Sequence, residues 1–206
     1  MAKSRVTVAV IGEGITEKYY ILSLRDVLQI KPGYVKPKNS SLKELEITIK
    51  SCIKKGYSRI YCMIDVDNKV HDGNPDHERN ATEYARLKQR YHNKQHKCPD
   101  GSKTLIVMVE SFPATEIFFW YYFGYTSAVY SNQQLKSMLH KRIGYLTEEK
   151  YLIKHSIHDT LVEAGGSLKV AISASIQSGL SHGAGGYNKS YSEIGEMIRE
   201  LNPKEI

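Results

Sequence analysis

The chain has 206 residues, of which 41% are hydrophobic and 25% are charged, and its formal net charge is +7. No apolar run reaches the length of a membrane span, so we expect a soluble protein rather than a membrane protein. The length fits one domain with appendages, or one domain plus a smaller helical one. The positive charge favours polyanionic partners such as nucleic acid. Cys52, Cys62 and Cys98 show no paired spacing, which is typical of reduced core thiols in a cytoplasmic protein.

The first element is an apolar run over residues 6–11, which predicts a buried strand that ends at Gly12-Glu13-Gly14. Thr16 is the predicted N-cap of a helix whose apolar spacing persists until Pro32. Residues 34–39 are predicted to form a short edge strand, because proline within a strand is tolerated mainly at an edge. The pattern is therefore strand, glycine turn, helix and edge strand.

A second helix is predicted from Ser40 or Ser41 to Gly56, and it leads into a strand over residues 60–65. This strand ends in Asp65, and Asp67 follows two positions later, so both carboxylates lie on the same side of an extended chain. Two neighbouring carboxylates repel each other unless a cation or a shared proton lies between them. The pair therefore indicates a site for a divalent metal ion.

A basic helix is predicted over residues 80–97, followed by a third apolar strand over residues 105–109. Glu110 comes directly after this strand. Ser111-Phe112-Pro113 then leads into a helix over residues 114–123 with Glu116 in its first turn and an aromatic run behind it.

From Thr126 onward the pattern is helical and weaker. We predict helical segments around Leu135 to Leu139 and over residues 146–157 and 161–176, a glycine-rich loop over residues 179–187, and a last helix ending near Leu201. This predicts two regions: an α/β core over residues 1–124 and a helical C-terminal region over residues 125–206 packed on it.

Alternation of apolar strands with helices predicts an α/β fold with a mostly parallel sheet flanked by helices and a C-terminal helical extension. In such sheets ligands bind beyond the carboxyl ends of the strands. Each of the three strands delivers acids to that edge, and carboxylate oxygens suit Mg²⁺ or Mn²⁺. The predicted metal ligands are Glu13, Glu17, Asp65, Asp67, Glu110 and Glu116.

Some of these residues also allow other interpretations. Gly12 begins a dinucleotide-like fingerprint, but Glu17 occupies the place of its third glycine and Glu13 lies in the turn. A negative side chain where a pyrophosphate should approach would repel it. Glu17 could instead only stabilise a helix N-terminus. His92, His96 and Cys98 resemble zinc ligands without a second matching pair, so solvated histidines are favoured.

Basic residues on the predicted helix 80–97 and in the C-terminal region are candidates for contacts with backbone phosphates that carry no sequence preference. The predicted nucleic-acid-binding residues are Arg86, Lys88, Arg90, Lys94, Lys136, Lys141 and Arg142.

Three motifs together resemble those of the RloB-like family, part of the wider Toprim group. They are Glu-Gly-Ile-Thr-Glu-Lys-Tyr-Tyr at residues 13–20, Asp-Val-Asp-Asn at 65–68 and Ser-Phe-Pro-Ala-Thr-Glu at 111–116. The resemblance covers residues 5 to about 124. In the third motif the sequence departs from the family pattern, since Phe112 replaces an asparagine and Trp120 comes later than the usual tryptophan.

The resemblance implies a Toprim-like fold in which Glu13, Asp65 and Asp67 hold Mg²⁺ or Mn²⁺, assisted by Glu17 and Glu116. It also implies phosphodiester chemistry, a place in bacterial defence against phage, and an ATPase protein as partner. The oligomeric state is left open.

We therefore expect a metal-dependent nuclease acting on DNA or RNA, with Glu13, Asp65, Asp67 and Lys69 as catalytic residues. Glu13 would be a ligand or a proton acceptor, and Lys69 would stabilise phosphate charge. One alternative is a non-catalytic nucleic-acid-binding or partner subunit of an ATPase-containing defence complex. Another is phosphoryl or nucleotidyl transfer with the same metal geometry.

Overall fold

The computed structural model describes residues 7–70, 73–182 and 189–202. Among these residues it contains six strands and nine helices. The strands are β1 Val8–Gly12, β2 Gly33–Val35, β3 Arg59–Asp65, β4 Lys94–Lys97, β5 Lys103–Phe112 and β6 Tyr191–Ser192. The helices are α1 Ile15–Ser23, α2 Leu42–Lys54, α3 Pro75–Tyr91, α4 Glu116–Tyr121, α5 Asn132–Ile143, α6 Glu149–Lys154, α7 Ile157–Glu163, α8 Leu168–His182 and α9 Ile194–Leu201. None of the helices described is both long enough and apolar enough to cross a bilayer.

The strands form one mostly parallel sheet, which confirms the predicted α/β fold class. Its order is β2-β1-β3-β5-β4, and β6 also pairs with β5. β2, β1, β3 and β5 are parallel, whereas β4 and β6 run antiparallel to β5. The three predicted apolar runs thus lie side by side as β1, β3 and β5, and their carboxyl ends share one edge of the sheet.

Helices cover both faces of the sheet. One face packs on α2 and α3 through alternate strand residues such as Ile60 and Ile64. The other face carries the larger core, in which Tyr61 and Met63 pack with residues of α1, α4 and the C-terminal helices. Because successive strand residues point to opposite faces, each buried strand contributes to both cores, which explains its uninterrupted apolar sequence.

The prediction of a helix over residues 80–97 is wrong at both ends. α3 begins at Pro75, with Asn74 as N-cap, and ends at Tyr91. Asn93 has a left-handed backbone conformation, which breaks the helix, and residues 94–97 form β4 against β5. Charged side chains are common on edge strands, so its polar sequence carried no strand signal.

The C-terminal helices are also divided differently from the prediction. Ser156 caps α7, so the segment predicted over residues 146–157 is split into α6 and α7. Gly165, which has positive φ, separates α7 from α8. Residues 179–182, predicted as loop, belong to α8, and residues 183–188 lie outside the described residues.

Candidate metal centre at the carboxyl edge of the sheet

Five of the six predicted metal-ligating acids lie together at the carboxyl edge of the sheet. They come from the ends of β1 and β3, the first turn of α1 and the start of α4. We call these five residues the acid group: Glu13, Glu17, Asp65, Asp67 and Glu116.

Asp65 is the last residue of β3 and lies at the centre of this group. Its Oδ1 accepts hydrogen bonds from the backbone N–H of Thr115 at 2.8 Å and from the Thr115 hydroxyl at 3.0 Å. Burial, and then the charges of Glu17, Glu116 and Glu13, raise the pKa of Asp65 well above its ordinary value. The carboxyl group is therefore oriented by two donors, while its neighbours oppose its ionisation.

Glu17 is 5% exposed and has both a structural and an electrostatic role. Its Oε2 accepts a hydrogen bond from the backbone N–H of Gly14 at 2.8 Å, as in a capping box, so the predicted helix-stabilising role of this residue is present. Its Oε1 lies 3.2 Å from the Thr115 hydroxyl that also contacts Asp65. One hydroxyl proton cannot serve two carboxylates, so Glu17 and Asp65 compete for it.

The pKa of Glu17 is also raised. Burial is the largest cause, and the charge of Glu116 adds to it. The close packing at this point depends on Gly12, since a Cβ there would lie 2.7 Å from both the Glu17 Cβ and the hydroxyl of Tyr34. Glycine at the end of β1 thus lets α1 begin close enough to bring Glu17 to the edge.

Glu13 is paired with Lys69. The Lys69 ammonium lies 3.2 Å from Oε1 and 3.5 Å from Oε2 of Glu13. Burial raises the pKa of Glu13 and Lys69 opposes this effect, while the charges of Glu17 and Asp67 raise it further. Lys69 is 6% exposed, so this cation is part of the buried site and is not a solvated loop residue.

Glu116 is 4% exposed and is held by residues of the C-terminal region. The hydroxyl of Tyr145 donates to Glu116 Oε1 at 3.1 Å, and the Lys136 ammonium lies 3.8 Å from the same oxygen. Lys136 was predicted to bind nucleic acid, and its half-exposed side chain lies at the rim of the acid group.

Asp67 is half-buried and lies beyond the end of β3. Its Oδ1 accepts a hydrogen bond from the backbone N–H of Asn68 at 2.8 Å. Its charge contributes to the raised pKa of Glu13, which places the two carboxylates near each other.

The structure separates Glu110 from the other acids, which corrects its predicted place in the metal site. Glu110 pairs in register with Ile64, so it points to the α2 and α3 face of the sheet, opposite to Asp65. It is 1% exposed and accepts hydrogen bonds from Tyr84 at 2.8 Å and Tyr191 at 2.9 Å. Its charge is balanced by the ammonium of Lys88.

The donor set at the edge is chemically suited to a hard cation, because carboxylate oxygens are the ligands that Mg²⁺ and Mn²⁺ prefer. Across residues 7–70, 73–182 and 189–202, however, no three His, Cys, Asp or Glu side chains are gathered into a ready metal-binding group. The oxygens are instead engaged by Thr115, Lys69 and Tyr145. The acids fit such an ion by chemical type and location, and their side chains would have to rearrange to bind one.

Comparison with family models gives a match that covers almost the whole chain. The model described as RloB-like protein matches residues 8–201. The chain belongs to the RloB-like family. Comparisons with curated proteins and with solved structures find no match. The family model extends through the C-terminal helices of this RloB-like protein, beyond the part covered by the three motifs.

The predicted nucleic-acid-binding residues on α3 of this RloB-like protein are mostly engaged in ion pairs. Arg86 and Arg90 approach Glu46 of α2, at 3.8 Å and 2.8 Å, and Lys88 pairs with Glu110. Lys94 lies on β4 and donates to the backbone oxygen of Gln89. Their charges therefore contribute less to a free basic surface than the sequence indicated.

The basic residues of α5 differ from one another. Lys141 is exposed, whereas the Arg142 guanidinium lies 3.7 Å from the ring centroid of Phe123 and 5.8 Å from that of Trp120. Lys136 lies beside Glu116. Among the predicted nucleic-acid-binding residues, Lys136 is thus in contact with one of the five acids at the edge.

His92 and His96 are on different elements and do not share a helix face. His92 is the C-cap of α3, and its Nδ1 accepts a hydrogen bond from the backbone N–H of Met108 at 3.1 Å. His96 lies on β4, and Cys98 is buried. The structure therefore gives no support to a zinc site at these residues.

Three residues that shape the site were not predicted from the sequence. Thr115 orients Asp65, Tyr145 binds Glu116, and the hydroxyl of Tyr34 donates to the backbone oxygen of Gly14 at 2.6 Å. Thr115 directly precedes Glu116 in the third motif, which was a usable signal. The two tyrosines are distant in sequence from the acids and carry no local signal.

Proposed function

We propose that this RloB-like protein is a nuclease that hydrolyses phosphodiester bonds in DNA or RNA with Mg²⁺ or Mn²⁺. The observation that carries the proposal is the convergence of Glu13, Glu17, Asp65 and Glu116 at the carboxyl edge, with raised pKa values at the first three. Several carboxylates that the fold keeps close together despite their mutual repulsion are suited to binding a cation.

Asp65, Glu13 and Asp67 would hold the ion, with Glu17 and Glu116 beside them. A bound divalent ion supplies charge stabilisation to a scissile phosphate and lowers the pKa of a coordinated water. Mg²⁺ keeps several waters and takes ligands from substrate phosphates, so a few carboxylates are sufficient.

Residues around the acids have distinct tasks in this proposal. Thr115 fixes the orientation of Asp65 through its N–H and hydroxyl. Glu13, whose pKa burial raises, is a ligand or accepts a proton from the attacking water. Lys136, half-exposed at the rim, and the exposed Lys141 would contact phosphates of the substrate backbone.

The family resemblance extends the proposal to the biological setting. There the protein would act in bacterial defence against phage, in the cytoplasm, together with an ATPase partner. The roles assigned to the acids at the sheet edge do not depend on this setting.

The proposal is tested with labelled single- and double-stranded DNA and RNA, in Mg²⁺ or Mn²⁺ and in EDTA. We expect metal-dependent cleavage by the wild-type protein and its loss in Asp65→Asn. Asp100→Asn is the matched control, because Asp100 is exposed in the turn between β4 and β5, before the amino end of β5. Calorimetric titration of Mn²⁺ into the same proteins tests whether the ion binds at this edge, because Asp65→Asn should then weaken binding and Asp100→Asn should not.

Wild-type protein that binds nucleic acid but cleaves none of these substrates would refute the nuclease and favour the non-catalytic subunit. Cleavage that is unchanged in Asp65→Asn would exclude this edge as the active site.

A further inference from the structure

Lys69 is placed differently from an ordinary substrate-binding lysine. It follows the last residue of β3 by four positions, and its side chain folds back over the end of that strand. The ammonium donates to the backbone oxygen of Asp65 at 2.6 Å, to Asn68 Oδ1 at 3.1 Å and to Glu13 Oε1 at 3.2 Å. An ammonium group has three N–H donors, so these three acceptors saturate it.

The ammonium therefore lies in the acid group itself. It is within 3.5 Å of both carboxylate oxygens of Glu13, and only 5% of its side chain is exposed. A divalent ion coordinated by Glu13 would have to approach the same oxygens, where a second cation would repel it.

We propose that Lys69 is an internal counter-ion that occupies the site in the metal-free protein and competes with the divalent ion for Glu13. This inference rests on the proposed function, because it concerns the same metal site. Its basis is the contact in which Lys69 already engages Glu13. On metal binding Lys69 releases Glu13, and its ammonium becomes available to a substrate phosphate.

Competition for Glu13 has a measurable consequence for metal affinity. Lys69→Met removes the competitor, so we expect it to bind Mn²⁺ about tenfold more tightly than the wild-type protein, a factor equal to about 1.4 kcal/mol. A lysine that only assisted metal binding would not raise the affinity when it is removed. The measurement is calorimetric titration of MnCl₂ into metal-free full-length protein.

A double-mutant cycle separates competition for Glu13 from a general loss of positive charge. Glu13→Gln is combined with Lys69→Met, and we expect the gain in affinity to disappear in the Glu13→Gln background. Lys50→Met is the matched control: Lys50 also pairs with a glutamate, Glu46 at 2.9 Å, but this pair lies on α2 and the lysine is exposed to solvent, which screens its charge. Its removal should change Mn²⁺ affinity little.

Each result has a distinct meaning. An equal gain from Lys69→Met in the wild-type and Glu13→Gln backgrounds, or the same gain in Lys50→Met, would overturn the competition. Equal Mn²⁺ affinity of Lys69→Met and wild type would overturn it and leave the proposed function standing. Binding to none of the proteins would overturn both. Circular dichroism checks folding, and Lys69→Gln, which is uncharged but keeps amide donors, replaces Lys69→Met if that variant does not fold.

Discussion

Replacing Asp65 by asparagine should stabilise the metal-free protein at neutral pH. Burial and the charges of Glu17, Glu116 and Glu13 raise the pKa of Asp65, so its ionised form is disfavoured in the folded state. Asparagine removes the charge, and its Oδ1 can still accept the two hydrogen bonds from Thr115. The substitution thus keeps the orienting contacts and removes the repulsion.

The size of the effect follows from linkage. Each unit by which folding raises a carboxyl pKa corresponds to about 1.4 kcal/mol between its two protonation states. A raised pKa gives stability that is present below the ordinary carboxyl pKa and is lost as pH rises towards the folded value. We expect Asp65→Asn to gain about 1–2 kcal/mol at pH 7, or about 2–8 °C in Tm for a chain of this size, and little at pH 4.

The assay is urea unfolding in EDTA, followed by circular dichroism at pH 4 and pH 7. Glu110→Gln is a control of opposite sign, because Lys88, Tyr84 and Tyr191 outweigh burial and hold the pKa of Glu110 below its ordinary value. That carboxylate contributes stability above its unfolded pKa, so Glu110→Gln should lose about 1–2 kcal/mol at pH 7. An Asp65→Asn variant no more stable than wild type at pH 7 would refute the reasoning.

Three further predictions concern the same edge and its supports. Mn²⁺ should raise the Tm of the wild-type protein more at pH 7.5 than at pH 5, because carboxyl groups with raised pKa values bind protons in competition with the ion at the lower pH. Scanning fluorimetry measures the Tm, and an increase in Tm that is the same at both pH values would contradict the prediction. Tyr145→Phe should lower the stability by about 1 kcal/mol in urea unfolding, since Glu116 loses its hydroxyl donor. Ser131→Ala should cost about 1 kcal/mol in the same assay, because it removes the capping box of α5; an unchanged midpoint would show that α5 does not depend on this cap.

Much of the site could be predicted because its acids follow buried strands. The apolar runs ending at Ile11 and Ile64 marked β1 and β3, and parallel neighbours bring their carboxyl ends to one edge. Glu13 and Asp65 therefore lie where the sequence placed them. Their role as metal ligands stays a prediction.

Glu110 shows where strand reasoning failed. The third apolar run ends at Val109, so Glu110 was placed beyond its strand, but β5 continues to Phe112. Glu110 is thus still inside the strand, and alternation turns it to the face opposite Asp65, beside α3. The three residues that extend β5 are polar or aromatic, and only pairing with β3 and β6 reveals that they belong to it.

Contacts that depend on packing could not be predicted at all. Tyr145 lies 29 positions after Glu116, and no periodicity links the two residues. β4 was missed because Lys94 to Lys97 have no strand propensity and are ordered by pairing with β5. In both cases the information lies in tertiary contacts that a local pattern does not contain.

The carboxylates Asp65 and Glu110 differ in how their surroundings treat a negative charge. Glu110 contacts the ammonium of Lys88 and accepts hydrogen bonds from the hydroxyls of Tyr84 and Tyr191, and these contacts favour its ionised form. Asp65 receives two donors from Thr115 and is surrounded by acids. The fold can thus neutralise a buried carboxylate where stability requires it. At the edge Lys69 contacts Glu13 and leaves the repulsion on Asp65 in place, a cost that a bound divalent cation would remove.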